Sequence, residues 1–422
     1  MQEDFLHYVW QYLHLGNSLF TTNGEPIVIK QKGIHNLNEG ADFFNAKINI
    51  AGQLWAGNVE IHLKSSDWYA HNHQEDKNYD NVILHVVWQH DSEIYRKDNT
   101  AIPTLELKGL VPKNTLERYY TLFDKKQEFI NCAKQLNKVD TFTKTNWLMR
   151  LYYERLEEKT QFIKELLNNT NNDWEAVLFQ LLAKNFGLKI NGDSFLTLAK
   201  SISFTVFRKE WHKPLALEAI LFGQAGLLTQ EKNDTYFKEL QQEYHYYKHK
   251  YQLNTINTKP QFFRLRPPNF PTIRLSQLAM LYAKEQQLVA KIMTLKTLEE
   301  AYTLFDIKAS NYWDTHYNFD LESKKRTKKL SKTFVDLLLI NTIIPFQFLY
   351  KKSHQTTEAD FDLKLIQALK TEKNSIVNRF EVLGLKARNA QESQAVLQLK
   401  NTYCIKNRCL SCAIGNALLK AK

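Results

Sequence analysis

Glu60, His62 and Lys64 occupy alternate positions of Gly57-Asn58-Val59-Glu60-Ile61-His62-Leu63-Lys64, one hairpin beyond Asp42. Side chains on a strand alternate between faces, so this spacing sends the three polar groups one way and Val59, Ile61 and Leu63 the other way, into a core. Two carboxylates brought together by such a hairpin, Asp42 and Glu60, offer hard oxygen ligands to Mg²⁺ or Mn²⁺. An ion held there can activate water against a phosphodiester. His62 or Lys64 beside it could orient that water or balance developing negative charge. A hairpin that merely turns its charges to solvent has the same spacing, so the pattern alone leaves both readings open.

A second donor set follows closely. His71-Asn72-His73 and Asp76 are residue types suited to Zn²⁺ or Mn²⁺. They read either as ligands of a different metallohydrolase or as loop groups over Glu60 that bind phosphate or a second ion. His71 and His73 share a face only if their backbone is extended. His85 lies inside the apolar run 82–88 and reads as a hydrogen-bonded core or sheet-end histidine. The chain has four cysteines, Cys132 and then Cys404, Cys409 and Cys412 in the spacing C-x4-C-x2-C. In a reducing compartment three clustered thiols favour a metal over disulfides. With Cys132 they would complete a Zn²⁺ tetrahedron or hold a [4Fe-4S] cluster, provided folding brings residue 132 to the tail; otherwise they are small buried side chains.

The elements that must position these groups are legible in outline. Residues 42–50 and 54–64 read as paired strands around a turn at 51–53. Further short strands fall at 26–30, 81–89 and 104–107, with a helix at 4–15 and a helix or turn at 66–80 between them. That interleaving predicts an α+β domain over 1–125. Beyond it, helical periodicity takes over. In 147–167 the apolar residues Leu148, Leu151, Tyr152, Leu156, Ile163 and Leu167 recur at helical steps, and similar patterns follow at 174–186, 236–251, 275–293, 334–350 and 361–369. The expectation is a large all-α domain over 126–400, with the Cys-containing segment 401–422 packed on it.

Asp42 on one strand and Glu60-x-His62 on the next resemble the PD-(D/E)XK nuclease superfamily. The resemblance implies a restriction-endonuclease-like mixed sheet flanked by helices, and Mg²⁺-dependent cleavage of DNA or RNA. The chain departs from that pattern in two ways. His62 stands where Glu-x-Lys has its lysine, with Lys64 two residues further on, and Gly40-Ala41 replaces a proline before Asp42. Many members add an acidic residue from the first helix, here Glu3, Asp4 or, later, Glu39. RecB-like members also carry an iron–sulfur staple made of one remote and three C-terminal cysteines, but Cys132 follows the Asp42–Glu60 region here instead of preceding it. A catalytically inactive nucleic-acid-binding or scaffold protein with the same core fits these departures equally well. Longer blocks, namely Gly57-Asn58-Val59-Glu60-Ile61-His62, Ser66-Asp67-Trp68, residues 82–88, Arg266-Pro267-Pro268-Asn269-Phe270-Pro271-Thr272-Ile273-Arg274 and the Cys-rich end, look like one bacterial family of unknown function.

Charge narrows the partners. A net +11 and a pI of about 9.1 over 422 residues favour a polyanion. Two basic segments are candidates for phosphate contacts: Lys324, Lys325, Arg326, Lys328, Lys329 and Lys332, and the Pro-rich turn bearing Arg264, Arg266 and Arg274. Solvated surface and internal ties to carboxylates are the competing readings. Neither G-x-x-x-x-G-K-[ST] nor G-x-G-x-x-G occurs, which argues against nucleotide-driven motion. The acidic start Met1-Gln2-Glu3-Asp4 is unlike a signal peptide, and no apolar run reaches the roughly 20 residues of a membrane span. The expectation is a cytoplasmic protein.

Overall fold

β-Branched and aromatic residues at alternate positions build the first unit around one mixed sheet. The computed structural model describes residues 1–13, 15–16, 18–36, 38–124, 128–254, 256, 259–354 and 363–420. The strands are β1 (Leu19–Phe20), β2 (Pro26–Gln31), β3 (Ile34–His35), β4 (Phe43–Ile50), β5 (Gln53–Lys64), β6 (Val82–Gln89) and β7 (Thr104–Glu106). Their order is β1-β2-β4-β5-β6-β7, with β3 also pairing with β4. β4 and β5 form the expected antiparallel hairpin, closed at Ala51-Gly52 with both residues at positive φ. That is the turn geometry whose twist suits two adjoining strands. β5 and β6 are parallel, so the chain must cross over between them. It does so through α2 (Asp67–Ala70) and two short 3₁₀ turns at His73–Glu75 and Lys77–Tyr79.

Two local irregularities aim the site. The β4–β5 register slips between Phe43 and Ala46, where Asn45 takes a left-handed φ of 59°. Asparagine tolerates that conformation, and such a bulge redirects the strand end that carries Asp42. Gly57 begins the buried half of β5. A Cβ there would lie 2.4 Å from Ile83 Cγ2 and 2.6 Å from the Asn81 carbonyl oxygen, so only glycine lets β6 approach. α1 (Glu3–Tyr12) buries Phe5, Leu6, Val9 and Trp10 and packs on β5. α3 (Lys113–Leu122) contacts the C-terminal helix Ala413–Lys420, and the Arg118 guanidinium donates to the Leu419 carbonyl at 3.5 Å.

The chain divides into two compact units: Met1–Trp147 with Val382–Leu385 and Leu399–Lys422, and Leu148–Glu381 with Lys386–Gln398. The segment 401–422 therefore belongs with the sheet, where apolar Ile414, Leu418 and Leu419 are buried, and not with the helical unit on which it was expected to pack. The boundary expected at 125/126 falls outside the described residues. The second unit is helical, as the periodicity predicts, with a small β-hairpin at His316–Asn318 and Leu321–Glu322. Of the helix expected over 361–369, Phe361 and Asp362 lie outside the described residues and Lys364–Ala368 is helical. Lys332–Ser353 is one continuous run of 22 residues with a π-helical segment at Leu339–Ile343. Among the described residues it is the one helix long and apolar enough, on average, to cross a membrane, although Asp336, Asn341 and Gln347 interrupt its apolar residues. Most of it is buried inside its unit.

Candidate metal centre

β5 places Glu60 and His62 on one face, and both are buried, at 5% and 2% exposure. The crossover to β6 covers them. Its first turn is tied down by Asp91, which accepts the Ser66 N–H at 2.9 Å and the Ser66 hydroxyl at 2.8 Å, while Asp67 Oδ2 accepts the Lys64 N–H at 2.9 Å. After α2, Asn72 adopts a left-handed φ of 60° and reverses the chain between His71 and His73. That reversal, in place of the extended backbone the spacing seemed to need, turns both rings back toward His62.

The result is a compact set of donors. The ligand atoms of His62, His71 and His73 all lie within 4.8 Å of one another, close enough to hold a metal ion. His62 Nε2 is 3.1 Å from His71 Nδ1 and 3.5 Å from Glu60 Oε1, and His73 Nε2 is 3.4 Å from the same oxygen. A zinc–nitrogen bond of about 2.0–2.1 Å implies roughly 3.3–3.4 Å between neighbouring donors of a tetrahedron. These three edges match that spacing. The other oxygen of Glu60 accepts the Asp42 backbone N–H at 3.1 Å, which leaves Oε1 aimed at the histidines.

Packing fixes the rings. His73 stacks on Tyr79 with centroids 3.8 Å apart, and Trp68 meets both His73 and His85 edge-on. His85 on β6, fully buried, brings Nε2 to 2.8 Å from His62 Nδ1. A proton on that Nδ1, donated to His85, leaves His62 Nε2 with its lone pair free for a ligand bond.

Burial and then the charge of Asp42 push the Glu60 carboxyl up to about 9. Burial, reinforced by His73 and His71, pushes His62 down to about 3, and burial carries His85 well below the usual histidine range. His62 is thus neutral at pH 7, the form that binds metal. On the far side, Asp42 Oδ2 accepts the Ile61 N–H at 2.9 Å and sits 3.2 Å from His7 Nε2. Burial disfavours the His7 cation, but the hydrogen bond and charge of Asp42 outweigh it and His7 is raised. Glu3, one helical turn before His7 on α1, is raised by burial and by Asp42.

The sequence candidates fare unevenly. Asp42, Glu60 and His62 come together with His71 and His73. Lys64 is exposed at the end of β5, and the acidic neighbour on which its charge acts is Asp91. Asp76 is exposed and caps the second 3₁₀ turn by accepting the Asn78 N–H at 2.9 Å, so it does not complete the donor set. With three nitrogens among its donors, the centre suits Zn²⁺, Mn²⁺ or Fe²⁺ better than the all-oxygen Mg²⁺ pair expected from Asp42 and Glu60. His7 was missed, and His85 was weighed only as core. The recurrence of His7 four residues after Glu3 on an amphipathic helix was the available signal for the first.

Several basic candidates are structural. Arg274 is 6% exposed, stacks 3.6 Å over the Phe334 ring and donates to Asn269 Oδ1 at 2.7 Å and Gln277 Oε1 at 3.0 Å. Lys328 is buried and donates to the Asp314 carbonyl at 2.8 Å, and Lys329 pairs with Asp306 at 3.0 Å. Arg264, Arg266, Lys325 and Arg326 are exposed. Cys132, Cys404, Cys409 and Cys412 fall together in the first unit and form no disulfide.

A mixed-sheet domain with a histidine-rich, metal-competent centre, joined to a large helical unit, is the class of protein that fold and site define. The chain belongs to the family described as "Protein of unknown function (DUF2851)", whose model matches residues 3–375. No curated protein and no solved structure matches it.

Proposed function

We propose that the chain is a metal-dependent hydrolase of phosphodiester bonds in nucleic acid, with its ion held by His62, His71 and His73. The observation that carries this reading is the convergence of the His62, His71 and His73 donor atoms within 4.8 Å of one another, with His62 Nε2 3.1 Å from His71 Nδ1 and Glu60 Oε1 3.5 and 3.4 Å from His62 and His73. A bound divalent ion supplies Lewis acidity and a water of lowered pKa. Glu60, whose Oε2 is engaged by the Asp42 N–H, would serve as the proton acceptor once a bound cation offset the burial and the Asp42 charge that keep its carboxyl protonated. His7, whose protonated form the neighbouring Asp42 carboxylate favours, would in that form stabilise negative charge on the phosphoryl oxygens or protonate the leaving group.

A cavity of about 850 Å³ lined by His35, Tyr8, Tyr119, Tyr120 and Arg408 meets the proposed site at His7; the three histidines themselves do not line it. Aromatic faces and a guanidinium are what stacked bases and phosphates require. The topology lends further support to the nuclease resemblance: Asp42 immediately precedes β4, Glu60 stands on the antiparallel neighbour β5, and a parallel crossover follows. The lysine role is the departure, with His62 serving as a ligand and His7 supplying the positive charge.

The test is hydrolysis of single- and double-stranded DNA and RNA by chelator-treated protein resupplied with Zn²⁺, Mn²⁺ or Mg²⁺. His71→Ala and His73→Ala should lose both metal and activity. Glu60→Gln should keep the metal and lose about 10²–10⁴ in rate, as expected for removal of a general base. Full activity in both histidine variants would refute the histidine-held ion and return the chemistry to an Asp42–Glu60 Mg²⁺ pair. A parent protein that binds metal yet hydrolyses none of the four substrates would refute the hydrolase.

A further inference from the structure

We infer that the helical unit holds a binding pocket of its own for a small organic cation, an ammonium or guanidinium group on an apolar stem, seated against Phe204, Phe207, Trp211 and Tyr282 and paired with Glu175. The pocket is a cavity of about 300 Å³, and all of its lining residues belong to the second unit. That volume is at the lower end for small-ligand sites, which suits a free amine or a single basic side chain.

Three helices bring the walls together. Phe204–Glu210 supplies Phe204 and Phe207 and ends at Trp211, Pro271–Lys284 supplies Tyr282, and Trp174–Phe186 supplies Glu175. Phe204 and Phe207 are three residues apart, so both rings fall on one helical face. The Tyr282 ring meets the two of them edge-on, with centroids 5.8 and 5.6 Å away. These three rings are buried, and Trp211 is half-buried.

Two polar groups in this apolar setting lack a partner. The buried Tyr282 hydroxyl has no hydrogen bond among the described residues. Such an orphan is costly, and a ligand that bonds to it is one physical reason for keeping it. Glu175 lies near enough that its charge adds to burial in raising the Tyr282 phenol. The Glu175 carboxyl accepts the Val289 N–H, but burial outweighs that bond and the charge of Arg208, and the group is raised. It makes no ion pair among the described residues.

The neighbouring charges are already matched. Arg208 pairs with Asp173 at 3.1 Å and lies 5.4 Å over the Phe204 ring. Glu285, also on the wall, is taken by Lys291 at 2.6 Å and Lys284 at 3.6 Å. The pocket therefore offers one unmatched carboxylate, a hydroxyl oxygen able to accept, and aromatic rings whose faces attract cations. An ammonium or guanidinium answers all three, with N–H donors for the two oxygens and charge for the rings. An anion would meet Glu175 and the rings with the wrong sign, and an apolar guest would leave both polar groups unpartnered.

Calorimetric titration of the full-length protein with n-butylammonium and n-butylguanidinium, with n-pentanol as the neutral control, tests the pocket. At least one cation should bind saturably at one site, and n-pentanol should bind about tenfold more weakly or worse. Glu175→Gln should weaken the cation about tenfold or more, as expected for losing a charged hydrogen-bond partner. Tyr282→Phe should weaken it severalfold yet leave the melting temperature unchanged or raised, because it removes an unpartnered hydroxyl. His71→Ala should alter none of this, so the pocket and the hydrolase reading fail separately. A capped peptide with a central arginine that binds as well as n-butylguanidinium would make the natural guest a side chain of a partner protein. Binding of the free cations alone would make it a free amine. Equal binding of n-pentanol, cation binding indifferent to Glu175→Gln, or no cation binding by the folded parent at about 10 mM would each overturn the inference.

Discussion

Replacing His85 by leucine should weaken metal binding while leaving the metal-free fold intact or slightly firmer, and these opposite signs make the variant informative. His85 is fully buried on β6, and its contact to the centre is the 2.8 Å hydrogen bond from Nε2 to His62 Nδ1. Its other nitrogen, Nδ1, has no hydrogen-bond partner among the described residues. In the metal-free protein leucine fits the apolar strand, flanked by Leu84 and Val86, and removes an unsatisfied polar atom, a change that is usually neutral or mildly stabilising. With metal, however, His62 must present Nε2 and carry its proton on Nδ1, and leucine leaves that proton without an acceptor. Loss of such an outer partner typically weakens metal affinity about 10–100-fold, or roughly 1.4–2.7 kcal/mol. Competition of the purified variant with a chromophoric chelator for Zn²⁺ reads the affinity, and thermal unfolding in EDTA reads the fold. Unchanged affinity together with an unchanged melting temperature would refute the role given to His85 and weaken the assignment of His62 as a ligand.

Other consequences are equally open to measurement. Gly57→Ala should destabilise the first unit by about 1–3 kcal/mol in urea unfolding, because the new methyl meets Ile83 and the Asn81 carbonyl. Arg274→Ala should lower stability by about 2–4 kcal/mol through lost packing on Phe334 and two stranded amide partners, with no change in the salt dependence of nucleic-acid binding, whereas Lys325→Glu with Arg326→Glu should change salt dependence and leave stability alone. Glu210 is pushed up by burial, but hydrogen bonds from Lys250, Tyr251 and Lys213 outweigh that and hold it down to about 2. Its stabilisation is present above the ordinary value of 4.5 and is lost as pH falls toward 2, so Glu210→Gln should flatten the acid limb of a stability–pH profile.

The sheet and its hairpin were legible because period-two alternation in 42–64 and a Gly-containing turn leave few other folds for that stretch. The helical unit was legible from its apolar stripes. The full donor set was not. Glu60 and His62 are neighbours on one strand, whereas His71 and His73 reach them only because Asn72 takes a left-handed conformation, which an asparagine permits but does not by itself dictate. His85 looked like core because it is core; its role appears only when β6 pairs in parallel with β5, with His85 opposite Glu60. The basic residues misled for a related reason. Arg274 and Lys328 carry charge that counts toward pI, yet each is buried against an aromatic ring and hydrogen-bonded to carbonyl or amide oxygens. The unit on which the tail packs was not readable either, since that depends on the apolar face of Ala413–Lys420 meeting α3.

The central claim is that one ion sits among His62, His71 and His73. X-ray absorption at the zinc edge, on Cys409→Ser protein carrying one equivalent of Zn²⁺, tests it most directly. The account predicts three histidine nitrogens at about 2.0–2.1 Å with one further oxygen, from Glu60 or from water, and a drop of one nitrogen in the same variant also carrying His71→Ala. A spectrum with only oxygen neighbours, or one unaffected by His71→Ala, would contradict it.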